Sequence, residues 1–317
     1  DGVIPISSES RDGEPGKVSY KDTVKDIQRQ RSFVLPGEPG AGLASLAEQL
    51  VDKMALPDGT VGFLVPGFLR LIRELHEGGR EFSVAFRTFG SDLPAVARDW
   101  NRFCDGQHPL HPGFELPGRR LDLCQKDSFG YLWRGGFTWT DEGTQVEQIA
   151  LVLGTSELAP GTNSQGWGTT SAQAALEWYE AMGPNRGEIL RGTAAIQQFF
   201  DEAASAGRTV GTRECYPHWA SCSWKTGGKL HFVDTARPPQ YHALFLDDNI
   251  GKRGIIDIRA TRSVDNAAHV MTPEEALGAY MVSVEPLRVM SDDAYLANKV
   301  AEAEAELDRR IAANIDP

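Results

Sequence analysis

Ala243-Leu244-Phe245-Leu246-Asp247-Asp248-Asn249 is the stretch whose reading decides the fold. Four apolar residues drive a buried strand, and its end sets two adjacent carboxylates and an amide at a sheet edge. In open parallel sheets, ligands bind beyond the carboxyl ends of the strands, so chemistry is expected at that edge. Adjacent carboxylates repel one another unless a cation or a hydrogen-bond donor offsets the charge. An all-oxygen cluster of Asp247, Asp248 and Asn249 suits magnesium. A solvated Asp-Asp-Asn turn reads equally well from the residues alone.

Outward from this strand, the same alternation of elements continues. Strands are expected at Leu230–Val233, Gly254–Ile258 and Tyr280–Val284, and Thr272-Pro273-Glu274-Glu275 starts a helix. A helix at Thr193–Ala206 precedes a strand at Thr209–Arg213. An amphipathic helix runs from Asp292 to about Ala313. Nearer the N-terminus, Val3–Ile6 reads as a strand end followed by a long polar loop. Helices follow at Leu43–Met54 and Pro66–Glu77, the second closed by Gly78-Gly79. Helices interleaved with apolar strands indicate an α/β fold with a mostly parallel sheet.

A second strand end carries chemistry. Phe82–Phe86 runs into Arg87-Thr88-Phe89-Gly90, and a helix begins at once with Ser91, Asp92 and Pro94 in its first turn. Strand, glycine turn and helix N-terminus together present free N–H groups to an anion. The Thr88 hydroxyl, the N–H groups of Phe89 and Gly90, and Arg87 suit a phosphate. The plainer alternative is that Thr88 only caps the helix.

Between residues 105 and 191 the character changes to Gly, Pro and aromatic residues, among them Trp133, Trp139, Trp167 and Trp178. Strand-like pieces at Leu132–Thr140 and Gln148–Gly154, a loop at Leu158–Thr170 and a helix at Ala172–Met182 read as an insertion or covering layer.

Composition narrows the function classes. Of 317 residues, 41% are apolar and 24% charged, as in a globular protein with a sizeable core. No run approaches the roughly 18 apolar residues of a membrane helix. A net charge of −12 argues against broad binding to nucleic acid or anionic membranes. Cys104, Cys124, Cys215 and Cys222 are too few and too widely spaced for a disulfide framework or a zinc site, so reduced thiols and a cytoplasmic location are expected. His108-Pro109-Leu110-His111 reads as a turn rather than a ligand pair. Neither a Gly-x-Ser-x-Gly elbow nor a His-Glu-x-x-His motif occurs, which disfavours serine hydrolases and zinc proteases.

Taken in order, the strand ends resemble the motifs of the haloacid dehalogenase-like hydrolase superfamily. Asp1-Gly2-Val3-Ile4 is similar to the second half of its first motif, Asp-x-Asp-Gly-(Thr or Val)-(Leu or Ile). Thr88 suits the second, a hydroxyl ending an apolar strand. Lys229, in Thr226-Gly227-Gly228-Lys229-Leu230, lies 18 residues before Asp247 and suits the third, with Lys225 in reserve. Asp247 and Asp248 look like the fourth.

The resemblance implies a Rossmann-like, mostly parallel sheet flanked by helices, with residues 1–104 and 192–317 as core and 105–191 as a cap-like insertion. It implies a small phosphorylated substrate, magnesium and an aspartyl-phosphate mechanism. Asp1 would be the general acid/base, its carbonyl also binding the metal. Thr88 would hold the phosphoryl oxygens, with Arg87, Phe89 and Gly90 around them. Lys229 would neutralise the charge of nucleophile and phosphate, and Asp247, Asp248 and Asn249 would hold the magnesium. The nucleophilic Asp of the family pattern falls two residues before Asp1, outside this sequence. A phosphate-ester hydrolase is therefore expected, with a catalytically inactive binding or assembly module on the same fold as the alternative.

Overall fold

The computed structural model describes residues 36–37, 40–57, 62–139, 143, 145–162, 167–182, 188–235, 239–251, 254–261 and 269–313. The chain divides into two compact units, Asp1–Ala55 and Leu56–Pro317. In the first, a 3-10 turn at Ala41–Leu43 leads into helix α1 (Ala44–Met54). Asp1 and the strand end expected at Val3–Ile6 lie outside the described residues.

The second unit holds the other elements. It opens with α2 (Pro66–Glu77), β1 (Val84–Thr88), α3 (Leu93–Cys104), β2 (Phe129–Trp139) and β3 (Gln145–Leu153). Next come α4 (Ala172–Ala181), β4 (Ile189–Arg191), α5 (Gly192–Ser205), β5 (Thr209–Glu214) and α6 (Tyr216–Ser221). Then follow β6 (Lys229–Asp234), β7 (Phe245–Asp247), β8 (Ile256–Thr261), β9 (His269–Met271) and α7 (Pro273–Ala276). The last are β10 (Met281–Ser283), α8 (Pro286–Ser291) and α9 (Tyr295–Ala312). None of the described helices is long and apolar enough to cross a membrane.

The central sheet has the order β1-β5-β2-β3-β4. Strands β1, β5 and β2 are mutually parallel, and β3 and β4 add antiparallel. A second sheet, β6-β8-β9, and a parallel pair, β10-β7, complete a mixed α/β architecture. Alternation along β3 shows how the central sheet is covered, because successive residues of a strand point to opposite faces. Ile149, Leu151 and Leu153 meet Ile196, Phe199 and Ala203 of α5, together with Leu230 and Phe232 of β6. Ala150 and Val152 meet Ala175, Leu176 and Tyr179 of α4. Helix α3 packs Leu93, Ala97, Trp100 and Phe103 against Val84 and Phe129.

Two expectations change. Residues 105–191 supply β2, β3 and β4, so the stretch is continuous with the sheet and not a layer laid over it: Phe129 pairs with Gly211 and Leu132 with Glu214 of β5. The strand expected at Phe82–Phe86 lies two residues later. Ser83 Oγ donates to the Arg208 carbonyl and Arg119 donates to the Phe82 carbonyl, so side chains engage this backbone where the ladder has not begun. The shift draws Arg87 and Thr88 into the sheet, opposite Thr212 and Arg213.

Candidate functional site

Thr88 closes β1. Its hydroxyl donates to Asp92 Oδ2 at 2.6 Å and accepts the Gly90 N–H at 2.9 Å. A Cβ at Gly90 would sit 2.5 Å from Asp92 Oδ1, so the glycine is what lets the Asp92 carboxylate fold back onto Thr88. Asp92 makes no side-chain cap to α3, contrary to the usual role of an acid at a helix start.

Phe89, the next residue, stacks on Trp219 with ring centres 4.9 Å apart and planes within 3°. Tyr216 meets both rings edge-on. The ammonium of Lys229, the first residue of β6, lies 5.4 Å from the centre of the Phe89 ring and 5.7 Å from that of Phe245. It donates to Asp247 Oδ2 at 2.7 Å. Both side chains are largely withdrawn from water, 10% and 7% exposed. Each charge therefore needs the other, because an unpaired ion at this depth would bear most of its desolvation cost.

Asp247 ends β7, and its other oxygen accepts the Asn249 N–H at 2.8 Å. The Asn249 amide donates to Asp248 Oδ1 at 2.9 Å, and both of these residues are exposed. The fold thus gathers the Thr88–Phe89 turn, Lys229 and Asp247 into one neighbourhood, with the Phe89 ring as the link between the first and second. Asp1 lies outside the described residues.

Arg87 has partners of its own. Its side chain is 7% exposed, Nε donates to Glu214 Oε1 at 2.5 Å and Nη2 to the Leu230 carbonyl at 2.5 Å. Its guanidinium also lies 4.8 Å from the Phe200 ring centre. The fork expected to face a phosphate is taken instead by Glu214 and the Leu230 carbonyl. Glu214 and Trp219 were not singled out by the sequence, and Asp92 was read only as part of a helix start. Glu214 carries a weaker signal, a carboxylate directly after the strand expected at Thr209–Arg213. Trp219 carries none beyond composition.

Asp247, Asp248 and Asn249 offer hard oxygens on three consecutive residues. Among the described residues no cluster of three or more His, Cys, Asp or Glu side chains converges on one point. Magnesium seldom asks for such a cage: it keeps several waters and takes one or two carboxylates together with substrate phosphate. Among the described residues each Asp247 oxygen accepts one hydrogen bond, from Lys229 and from the Asn249 N–H, which leaves acceptor capacity toward a cation. The donor set fits that ion in kind. No protein-family model, curated protein sequence or solved structure matches the chain.

Proposed function

We propose that this protein is a magnesium-dependent phosphate-ester hydrolase of the haloacid dehalogenase-like type, built on a Rossmann-like core. One observation carries the reading: the Lys229 ammonium lies 2.7 Å from the strand-end carboxylate of Asp247 and against Phe89 of the Thr88 turn. An anionic nucleophile approaching an anionic phosphate needs positive charge between them, and Lys229 is the cation at this point.

Magnesium held by Asp247, with Asp248 and Asn249 beside it, supplies further neutralisation of the phosphoryl oxygens when bound. Thr88 turns its hydroxyl from Asp92 to a phosphoryl oxygen, and the N–H groups of the Phe89–Gly90 turn complete the cradle. Lys229 shifts part of its charge from Asp247 to the phosphate. The family pattern gives Asp1 the proton transfers, first to the leaving oxygen and then from water, and gives the attack on phosphorus to an Asp two residues upstream.

The test is turnover of p-nitrophenyl phosphate by protein made from the complete gene, with and without magnesium. Magnesium-dependent hydrolysis is expected, falling about a hundredfold in Asp247→Asn with unchanged near-ultraviolet circular dichroism. Undiminished turnover in that variant removes the metal assignment. Absence of turnover by the complete protein on a panel of phosphate esters favours a binding module on the same fold.

A further inference from the structure

Lys229 is gripped on both sides through its backbone. The carbonyl before it, on Gly228, accepts Arg134 Nη1 at 3.1 Å. The carbonyl after it, on Leu230, accepts Arg87 Nη2 at 2.5 Å. Its own N–H donates to the Ile255 carbonyl at 2.6 Å. Both arginines come from the central sheet, Arg87 from β1 and Arg134 from β2, whereas Lys229 opens a strand of the other sheet.

Each guanidinium is itself anchored by carboxylates. Arg87 is held by Glu214, which is wholly buried and also takes the Thr212 hydroxyl at 2.7 Å. Arg134 donates to Glu147 through Nε at 3.0 Å and to Asp257 through Nη2 at 2.6 Å. Arg259 adds its Nη2 to the same two carboxylates at 3.0 and 2.9 Å. The residue at 228 must be glycine for the grip to close, since a Cβ there would stand 2.0 Å from the Ile255 oxygen.

We infer that Arg87 and Arg134 are positioning residues that set where the Lys229 ammonium stands between Phe89, Phe245 and Asp247. The inference rests on the reading of Lys229 as the charge that meets phosphate. Buried ionic networks are poor devices for stability alone, because apolar residues of similar volume often serve as well or better. What a planar fork adds is geometry: it bridges a carboxylate and a carbonyl in fixed directions, which a flexible ammonium cannot do. A reacting group misplaced by about 1 Å loses about a hundredfold in rate, so a grip on both neighbours of Lys229 has a direct chemical use.

The test follows the proton–nitrogen correlation signal of the Lys229 ammonium, identified by its loss in Lys229→Gln. The Phe89 and Phe245 rings shift that signal according to where the ammonium stands, so it reports position and not merely folding. Arg87→Lys, Arg134→Lys and Glu214→Gln are compared, the last keeping Arg87 while weakening its anchor. The expected result in the folded variants is a displaced or lost Lys229 signal, with kcat lowered about ten- to a hundredfold and KM changed far less. A Lys229 signal unmoved in folded variants overturns the inference whatever the activity does. A signal that moves in a protein with no phosphatase turnover upholds the grip and sinks the hydrolase reading, so the two failures are separable.

Discussion

His218 and His231 are buried beside the two arginines that hold Lys229. Burial first, and then the nearby Arg134, pushes the His218 pKa down to about 4. Burial first, and then Arg87, pushes that of His231 down to about 3. In an unfolded chain both would titrate near 6.5. Between those values the unfolded state binds more protons than the folded one, so stability is full above about pH 6.5 and falls as the pH drops toward 4 and 3. His231→Leu should therefore flatten the fall of melting temperature between pH 6.5 and 4.5. Curves of equal slope for variant and parent would remove His231 from the acid response.

At this scale the sequence spoke through charges that end apolar strands. Asp247 was legible at a strand end because Phe245 and its neighbours can only be buried, and Lys229 because it opens another apolar run. Arg87 was misjudged because β1 runs two residues past its expected end, which carries Arg87 into the sheet, where Glu214 and the Leu230 carbonyl take its guanidinium. Arg134 carried an unused signal: a charge inside an apolar strand calls for a buried partner, here Glu147 and Asp257.

Among the elements, α3 shows how one helix fixes two loops. Asp99, on its buried side, accepts the Phe63 and Leu64 N–H groups at 2.8 Å each, and His108 Nε2 lies 3.3 Å from its other oxygen. Burial raises the Asp99 pKa, but the bonds from His108, Leu64 and Phe63 outweigh it and leave the group more acidic than usual. Asp99→Ala strands two backbone donors and should cost about 1–3 kcal/mol, read as a lower urea midpoint at unchanged slope. Full retention of the midpoint would show that water replaces the carboxylate at no cost. His108 thus serves a turn, as its flanking sequence suggested.

Helix bounds were the most legible feature, since Pro66, Pro94 and Gly78-Gly79 mark them openly. The β2–β3 hairpin was the least. The register slips between Arg134 and Gly136, where Gly136 adopts a φ of +99°. A Cβ on Gly135 would fall 2.2 Å from the Trp133 ring. Such a bulge breaks the period-two pattern and fills a strand with glycine, so a core hairpin read as part of an insertion.

Across the unit Leu56–Pro317, the two sheets are joined by ions as well as by oil. Glu147 from the central sheet bonds Arg134 of its own sheet and Arg259 of the other. Glu147→Gln leaves the two buried guanidinium groups to share Asp257 and should cost about 3–5 kcal/mol in chemical denaturation. A loss under 1 kcal/mol would mean that Asp257 alone suffices for both arginines.

The order β1-β5-β2 has a consequence for how the protein is made. Among the described residues, strand β1 has no partner in the sheet other than β5, and β5 also pairs with β2. Synthesis runs from the N-terminus, so both edges leave the ribosome long before the strand that joins them. A half-made chain therefore displays open strand edges, the kind of surface that chaperones cover and that aggregates grow from. Strand β5 acts as a keystone delivered late, and a ribosome stalled before residue 209 would release a chain whose core cannot close.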